Sequence, residues 1–133
     1  MGRRVSGVFY NGSEDHTESL ADRFFSESYD FSSNYGQVVQ YTLDLRNVFD
    51  ICDRDDCERL IAWLGYVEDP YDGMVYRSYD ELDTVGILGM NTWELSENHV
   101  DVVKRLGYDG MVLYEDGIYN LMVFDPMSYV VVN

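Results

Sequence analysis

Asp53, Asp55 and Asp56 stand between two thiols, Cys52 and Cys57. A thiolate pair binds zinc only when further Cys or His ligands complete a tetrahedron. His16 and His99 are distant in sequence and complete no such pattern, so both cysteines read as free thiols in a reducing cytoplasm. The three carboxylates suit a hard cation, but the calcium-loop pattern needs a glycine at its turn, and none stands there. A second concentration of chemistry is Asn11-Gly12-Ser13 after an apolar strand pattern. A third is the carboxylate pair Glu115-Asp116, ahead of Gly117.

These residues must be positioned by a chain of 133 residues, the length of one domain. Hydrophobic residues make up 46%, enough to bury a core. Val5 to Tyr10 reads as a first strand, broken at Asn11-Gly12-Ser13. A helix is expected from about Asp15 to Phe24. Phe25 to Asn34 shows no clear period. Gln37 to Leu45 alternates Val39, Tyr41, Leu43 and Leu45 with polar residues, which predicts a half-buried strand. Asp55 and Glu58 predict a capping box opening a helix that ends at Gly65. A helical turn is expected near Tyr79 to Leu82. Ser96 is expected to cap a further helix, with Val100, Val103 and Leu106 inward and Gly107 as its stop. Met111–Tyr114, Tyr119–Phe124 and Tyr129–Val132 read as closing strands, the first two joined by a tight Asp116-Gly117 turn.

Charge narrows the function. Twenty-five acidic residues against nine basic ones give a formal net charge of -16. Nucleic-acid binding needs a basic footprint, so direct contact with DNA or RNA is not expected. A protein partner with a basic face is expected instead, such as a nucleic-acid-binding complex; the bland alternative is acidity for solubility alone. No run of about 18 apolar residues suggests a membrane span, and no signal peptide is visible, so a cytoplasmic protein is expected.

The order of motifs resembles the ADP-ribosyltransferase superfamily over nearly the whole chain. The residues that carry the resemblance are Tyr10-Asn11-Gly12-Ser13 at a strand end, Phe24-Phe25-Ser26, Ser33-Asn34-Tyr35, Gly107-Tyr108-Asp109-Gly110 and Val123-Phe124-Asp125-Pro126. Some small phage counter-defence proteins, anti-CRISPR proteins among them, are similar in size and layout. The resemblance implies an α+β fold with an ADP-ribosyltransferase-like split β-sheet core and about three flanking helices. It implies NAD as cofactor and transfer of ADP-ribose to a host or defence-system protein. On it, Gly12 holds the nicotinamide carboxamide through its main chain. Asn11 and Ser13 bond the adenosine side or its ribose, and Phe24, Phe25 and Tyr35 sandwich the nicotinamide ring.

In this mapping Asn11 stands where the family has histidine, Phe24 where it has tyrosine, and Asn120 where it has the catalytic glutamate. Asn120 can still donate to a ribose hydroxyl. The acid that stabilises positive charge in the transition state would then be Glu115 or Asp116, from a shifted position, with Asp109 as a third candidate. Each assignment has a structural alternative. Asn11-Gly12 is a turn in most proteins, Phe24 and Phe25 suit a core, and Glu115-Asp116-Gly117 suits a solvated hairpin. The competing function is a catalytically inactive acidic inhibitor that blocks a basic nucleic-acid-binding groove of a partner. An immunity or antitoxin protein against a basic toxin is a variant of that reading.

Overall fold

A computed structural model describes residues 2–13 and 22–132. Its strands are β1 (Arg3–Ser13), β2 (Arg23–Ser26), β3 (Gln37–Phe49), β4 (Val67–Glu68), β5 (Val75–Tyr76), β6 (Gly110–Glu115), β7 (Ile118–Val123) and β8 (Tyr129–Val131). Its helices are α1 (Tyr29–Ser33), α2 (Arg54–Leu64), α3 (Tyr79–Val85), α4 (Trp93–Glu97) and α5 (Val100–Arg105), with a 3-10 turn over Pro126–Ser128. The class is α+β, with five described α-helices where about three were expected.

The expected break at Asn11-Gly12-Ser13 does not occur. β1 runs through it because β3 supplies a partner at each position: Asn11 opposite Val39, Gly12 opposite Val38 and Ser13 opposite Gln37. The helix expected from Asp15 to Phe24 falls partly on residues 14–21, outside the described residues. At its end the chain is the strand β2, which pairs along β7 from Arg23 opposite Val123 to Ser26 opposite Asn120.

The main sheet closes in the order β1-β2-β7-β6-β3, with β3 returning to β1 and β8 added along β3. Three pairings are extensive: β1 with β3, β2 with β7, and β6 with β7. Two are narrow. β1 meets β2 at a single pair, Tyr10 with Ser26. β3 meets β6 at two, Val48 with Gly110 and Phe49 with Met111. The ring is therefore two three-stranded halves, β1-β3-β8 and β2-β7-β6, joined at thin seams.

Strand alternation fills this ring. Tyr41, Leu43 and Leu45 point inward to Phe25, Val112, Leu121, Val123 and Tyr129. The opposite face of β6 and β7 presents Met111, Leu113 and Met122 to the helices, where Leu60, Ile61, Leu82, Leu95 and Val103 cover it. Burial on both faces explains why Met111-Val112-Leu113 is a continuous apolar run. Asp116 and Gly117 both take positive φ (50° and 78°), the geometry of the expected two-residue hairpin turn.

Helix ends follow local chemistry, with shifts from expectation. α2 is capped by Asp53, whose carboxylate accepts the Asp56 N–H, and not by Asp55. Glu58 accepts the Tyr79 N–H and so ties α3 to α2, outside any capping box. Gly65 ends α2 in the left-handed conformation, as expected. Ser96 lies inside α4, and α5 begins after His99. Asp109 has a structural role here. Its carboxylate accepts the main-chain N–H groups of Arg46 (2.7 Å) and Asn47 (3.0 Å), clamping the entry of β6 to β3.

His99 joins the β4–β5 hairpin to the helices, because its Nε2 accepts the Glu68 N–H at 3.1 Å. Burial lowers its pKa below the ordinary 6.5, since an imidazolium loses hydration there. The neutral form is the folded form, so this contribution is complete above pH 6.5 and is lost as pH falls through the lowered folded value. Urea midpoints of the wild type should therefore fall between neutral pH and about pH 5, where histidine titrates. His99→Gln should flatten that slope. A slope unchanged in the variant would remove His99 as its cause.

Candidate functional site

A cleft of about 450 Å³ opens where β1, β2, α1 and α4 meet. Its lining includes Asn11, Gly12, Ser13, Phe24, Phe25, Tyr35 and Asn120, all seven residues that the resemblance placed around NAD. It also includes Ser26 of the Phe24-Phe25-Ser26 motif and six residues that the sequence did not single out: Asp22, Arg23, Phe31, Ser32, Trp93 and Glu97.

One wall is built by α1. Ser28 caps this short helix by accepting the Phe31 N–H at 3.1 Å, and Ser26 Oγ accepts the Ser28 N–H at 3.0 Å. Ser32 then donates its hydroxyl to the Tyr10 carbonyl at 3.1 Å, drawing α1 onto β1. The approach is so close that a Cβ on Gly12 would fall 1.6 Å from the Ser32 carbonyl oxygen. Glycine at this position is required by packing against α1, whatever its main chain binds.

The other wall is α4. Thr92 is fully buried, donating its N–H to the Tyr114 carbonyl and accepting the Tyr114 N–H at its hydroxyl. This pair fixes the start of α4 and brings Trp93 onto Phe24, stacked at 5.1 Å between ring centres. Phe31 lies 6.1 Å from Trp93 and 5.6 Å from Tyr35, which completes an aromatic band. Phe24 and Tyr35 are exposed, Phe24 with one ring face against Trp93. Phe25 does not join them. Its ring packs in the barrel against Tyr41 and Tyr129, as alternation along β2 dictates.

The floor is polar and neutral. Asn11 donates its side-chain N–H to the Phe24 carbonyl at 2.6 Å, and Asn120 donates to the Ile118 carbonyl at 3.0 Å. The Oδ1 atoms of both are buried without a hydrogen-bond partner among the described residues. Arg23 is turned to the barrel side, where it donates to the Tyr41 hydroxyl at 3.0 Å and lies over the Tyr41 and Tyr129 rings.

Carboxylates occupy the rim. Asp22 is held by Lys104 at 2.8 Å. Glu97 is exposed and makes no ion pair among the described residues. Glu115 and Asp116 do not line this cleft. Glu115 lines a neighbouring acidic groove with Asp69, Asp72 and Glu94, and Trp93 is common to both spaces. Its charge still reaches Tyr35, whose pKa is raised first by burial and then by Glu115. Asp116 is a turn residue whose N–H donates to Asn91 Oδ1 at 3.0 Å.

The remaining candidates lie elsewhere. Asp53 caps α2, and Asp56 accepts the Tyr108 hydroxyl at 2.8 Å. Among the described residues no group of three or more His, Cys, Asp or Glu side chains is arranged to hold a metal ion. Cys52 and Cys57 are free, and burial pushes both thiols up to about 12, so they stay protonated at neutral pH. No helix among the described residues is long and apolar enough to cross a membrane.

No protein-family model matches the chain, and no curated protein matches it either. Among solved structures it is similar to the crystal structure of an anti-CRISPR protein, with a TM-score of 0.53 at 10% identity over 96% of each chain. At that identity the likeness is one of fold.

Proposed function

We propose that the cleft is an NAD site and that this is an ADP-ribosyltransferase-like protein acting on a defence-system protein in phage counter-defence. The observation that carries the reading is the convergence of Asn11, Gly12, Ser13, Phe24, Tyr35 and Asn120 on one aromatic-walled cleft. Its fold likeness to an anti-CRISPR protein over 96% of both chains supports the biological setting.

The residues fit the nicotinamide end of NAD. Phe24 and Tyr35 are exposed aromatic side chains of the lining, against which a planar ring would pack. The anionic pyrophosphate finds one guanidinium in the lining, Arg23, and that is engaged with Tyr41. When bound, NAD supplies an ADP-ribosyl group for a nucleophile on the partner. A carboxylate facing the positive charge that develops at the ribose lowers the barrier. Glu97 is the carboxylate of the lining that stands without an ion-pair partner, so we assign that role to it ahead of Glu115 and Asp116. The acidic surface, part of a net charge of -16, steers the protein to a basic face such as that of a nucleic-acid-binding complex.

Incubation of the protein with NAD and a bacterial extract, read by mass spectrometry, should show ADP-ribose on a protein. Glu97→Gln should lower the rate by about 100-fold or more, the scale of losing a transition-state electrostatic contact. The Glu115→Gln, Asp116→Asn double variant should lose less than about threefold by the same measure. The reverse order would return the acid to the hairpin. No modification together with no NAD binding would sink the reading. The acidic-inhibitor reading, favoured by asparagine in place of the catalytic glutamate at position 120, would then stand, and its complex should weaken steeply with salt.

A further inference from the structure

A second groove, of about 320 Å³, shares Trp93 with the cleft. Among the described residues, four carboxylates line it, those of Asp69, Asp72, Glu94 and Glu115, and no Lys, Arg or His does. Asp69 and Asp72 come from the β4–β5 hairpin, Glu94 from α4 and Glu115 from β6. The hairpin tip is held by its own bonds. The Asp69 N–H donates to the Met74 carbonyl at 2.9 Å, and the Asp69 and Asp72 carboxylates accept the Tyr71 and Met74 N–H groups, each at 2.9 Å. Glu94 is exposed, and its carboxylate makes no ion pair among the described residues.

Negative charges gathered around one groove draw in a cation. A metal ion does not suit them, because among the described residues no three such side chains are arranged as ligands. An extended cation does. The groove is also aromatic: Tyr71, Trp93 and Tyr114 line it, and Tyr71 is 84% exposed. Carboxylates and rings in one groove favour a planar guanidinium over the compact ammonium of lysine. The guanidinium bonds a carboxylate through two N–H groups and packs on aromatic rings. We infer that this groove is the docking site for an arginine-bearing segment of the protein partner. The inference rests on the basic-partner part of the proposed function and holds whether or not the cleft takes NAD. It places the contact at the hairpin and α4, where acidity alone would leave it spread over the surface.

The test uses the full chain and two fluorescently labelled peptides, one of four Gly-Arg repeats and one of four Gly-Lys repeats, followed by anisotropy at physiological ionic strength. The arginine peptide should bind at least about twofold more tightly than the lysine peptide, the scale of an exposed cation–π contact. Asp72→Asn with Glu94→Gln should weaken the arginine peptide about fivefold or more, the scale of two exposed ion pairs. Asp83→Asn with Asp101→Asn removes the same charge from exposed positions outside the groove, and should change binding less than about twofold. Equal losses in the two double variants would overturn the inference and leave net charge as the cause. Equal binding of the two peptides, or binding of neither, overturns it as well. The peptide comparison needs no variant, so a misfolded substitution does not remove the test. No step involves NAD, so failure here and failure of the NAD reading are separate results.

Discussion

Gly12→Ala should lose about 3 kcal/mol or more of stability, at or beyond the upper end of ordinary overpacking. The added Cβ would meet the Ser32 carbonyl oxygen at 1.6 Å and its carbonyl carbon at 2.5 Å. Both are main-chain atoms of α1, so no rotamer change relieves the contact. Either α1 leaves β1, breaking the Ser32–Tyr10 hydrogen bond, or β1 bends away from β3. The first outcome moves Phe31 and Tyr35 and opens the cleft. Denaturant midpoints should therefore fall, and on the proposed NAD reading the affinity for NAD should fall with them. A folded Gly12→Ala protein within about 0.5 kcal/mol of the wild type, the scale of an ordinary surface substitution, would show that α1 does not lie this close.

Asp56→Ala should cost about 3 kcal/mol as well, through unmet donors in place of a clash. Asp56 is buried, and its two oxygens accept the Tyr108 hydroxyl at 2.8 Å and the Asp50 N–H at 3.0 Å. Alanine leaves both donors in a dry environment, at about 1–3 kcal/mol each. Thermal unfolding should come roughly 10 °C earlier for a domain of this size. Tyr108→Phe removes one donor and leaves the other bond in place, so it should cost about 1 kcal/mol, near the net value of a single hydrogen bond. Equal losses in the two variants would place the whole cost in the Tyr108–Asp56 bond that both remove and none in the Asp50 N–H.

Local patterns made part of this fold legible. The alternation from Val39 to Leu45, the left-handed Gly65 and the Asp116-Gly117 turn are decided by neighbours within a few residues. Asn11-Gly12-Ser13 misled because turn chemistry was overruled by a long-range partner, β3, which pairs all three positions. Phe24 and Phe25 looked alike in sequence, yet strand alternation sends one ring to the cleft and the other to the barrel. The candidate site was half legible for a related reason. Residues on β1 and β2 follow a motif order, whereas Trp93 and Glu97 arrive from some 80 residues away through the Thr92–Tyr114 bonds. Nothing adjacent to Trp93 or Glu97 in the sequence signals that placement.

The single Tyr10–Ser26 pair that joins β1 to β2 stands beside the cleft, which Ser26 lines. Asn11 reinforces it with one side-chain bond to the Phe24 carbonyl. One of the two thin seams of the barrel and the cleft therefore coincide. A molecule seated in the cleft would touch both halves of the ring at once, β1 on one side and β2 with β7 on the other.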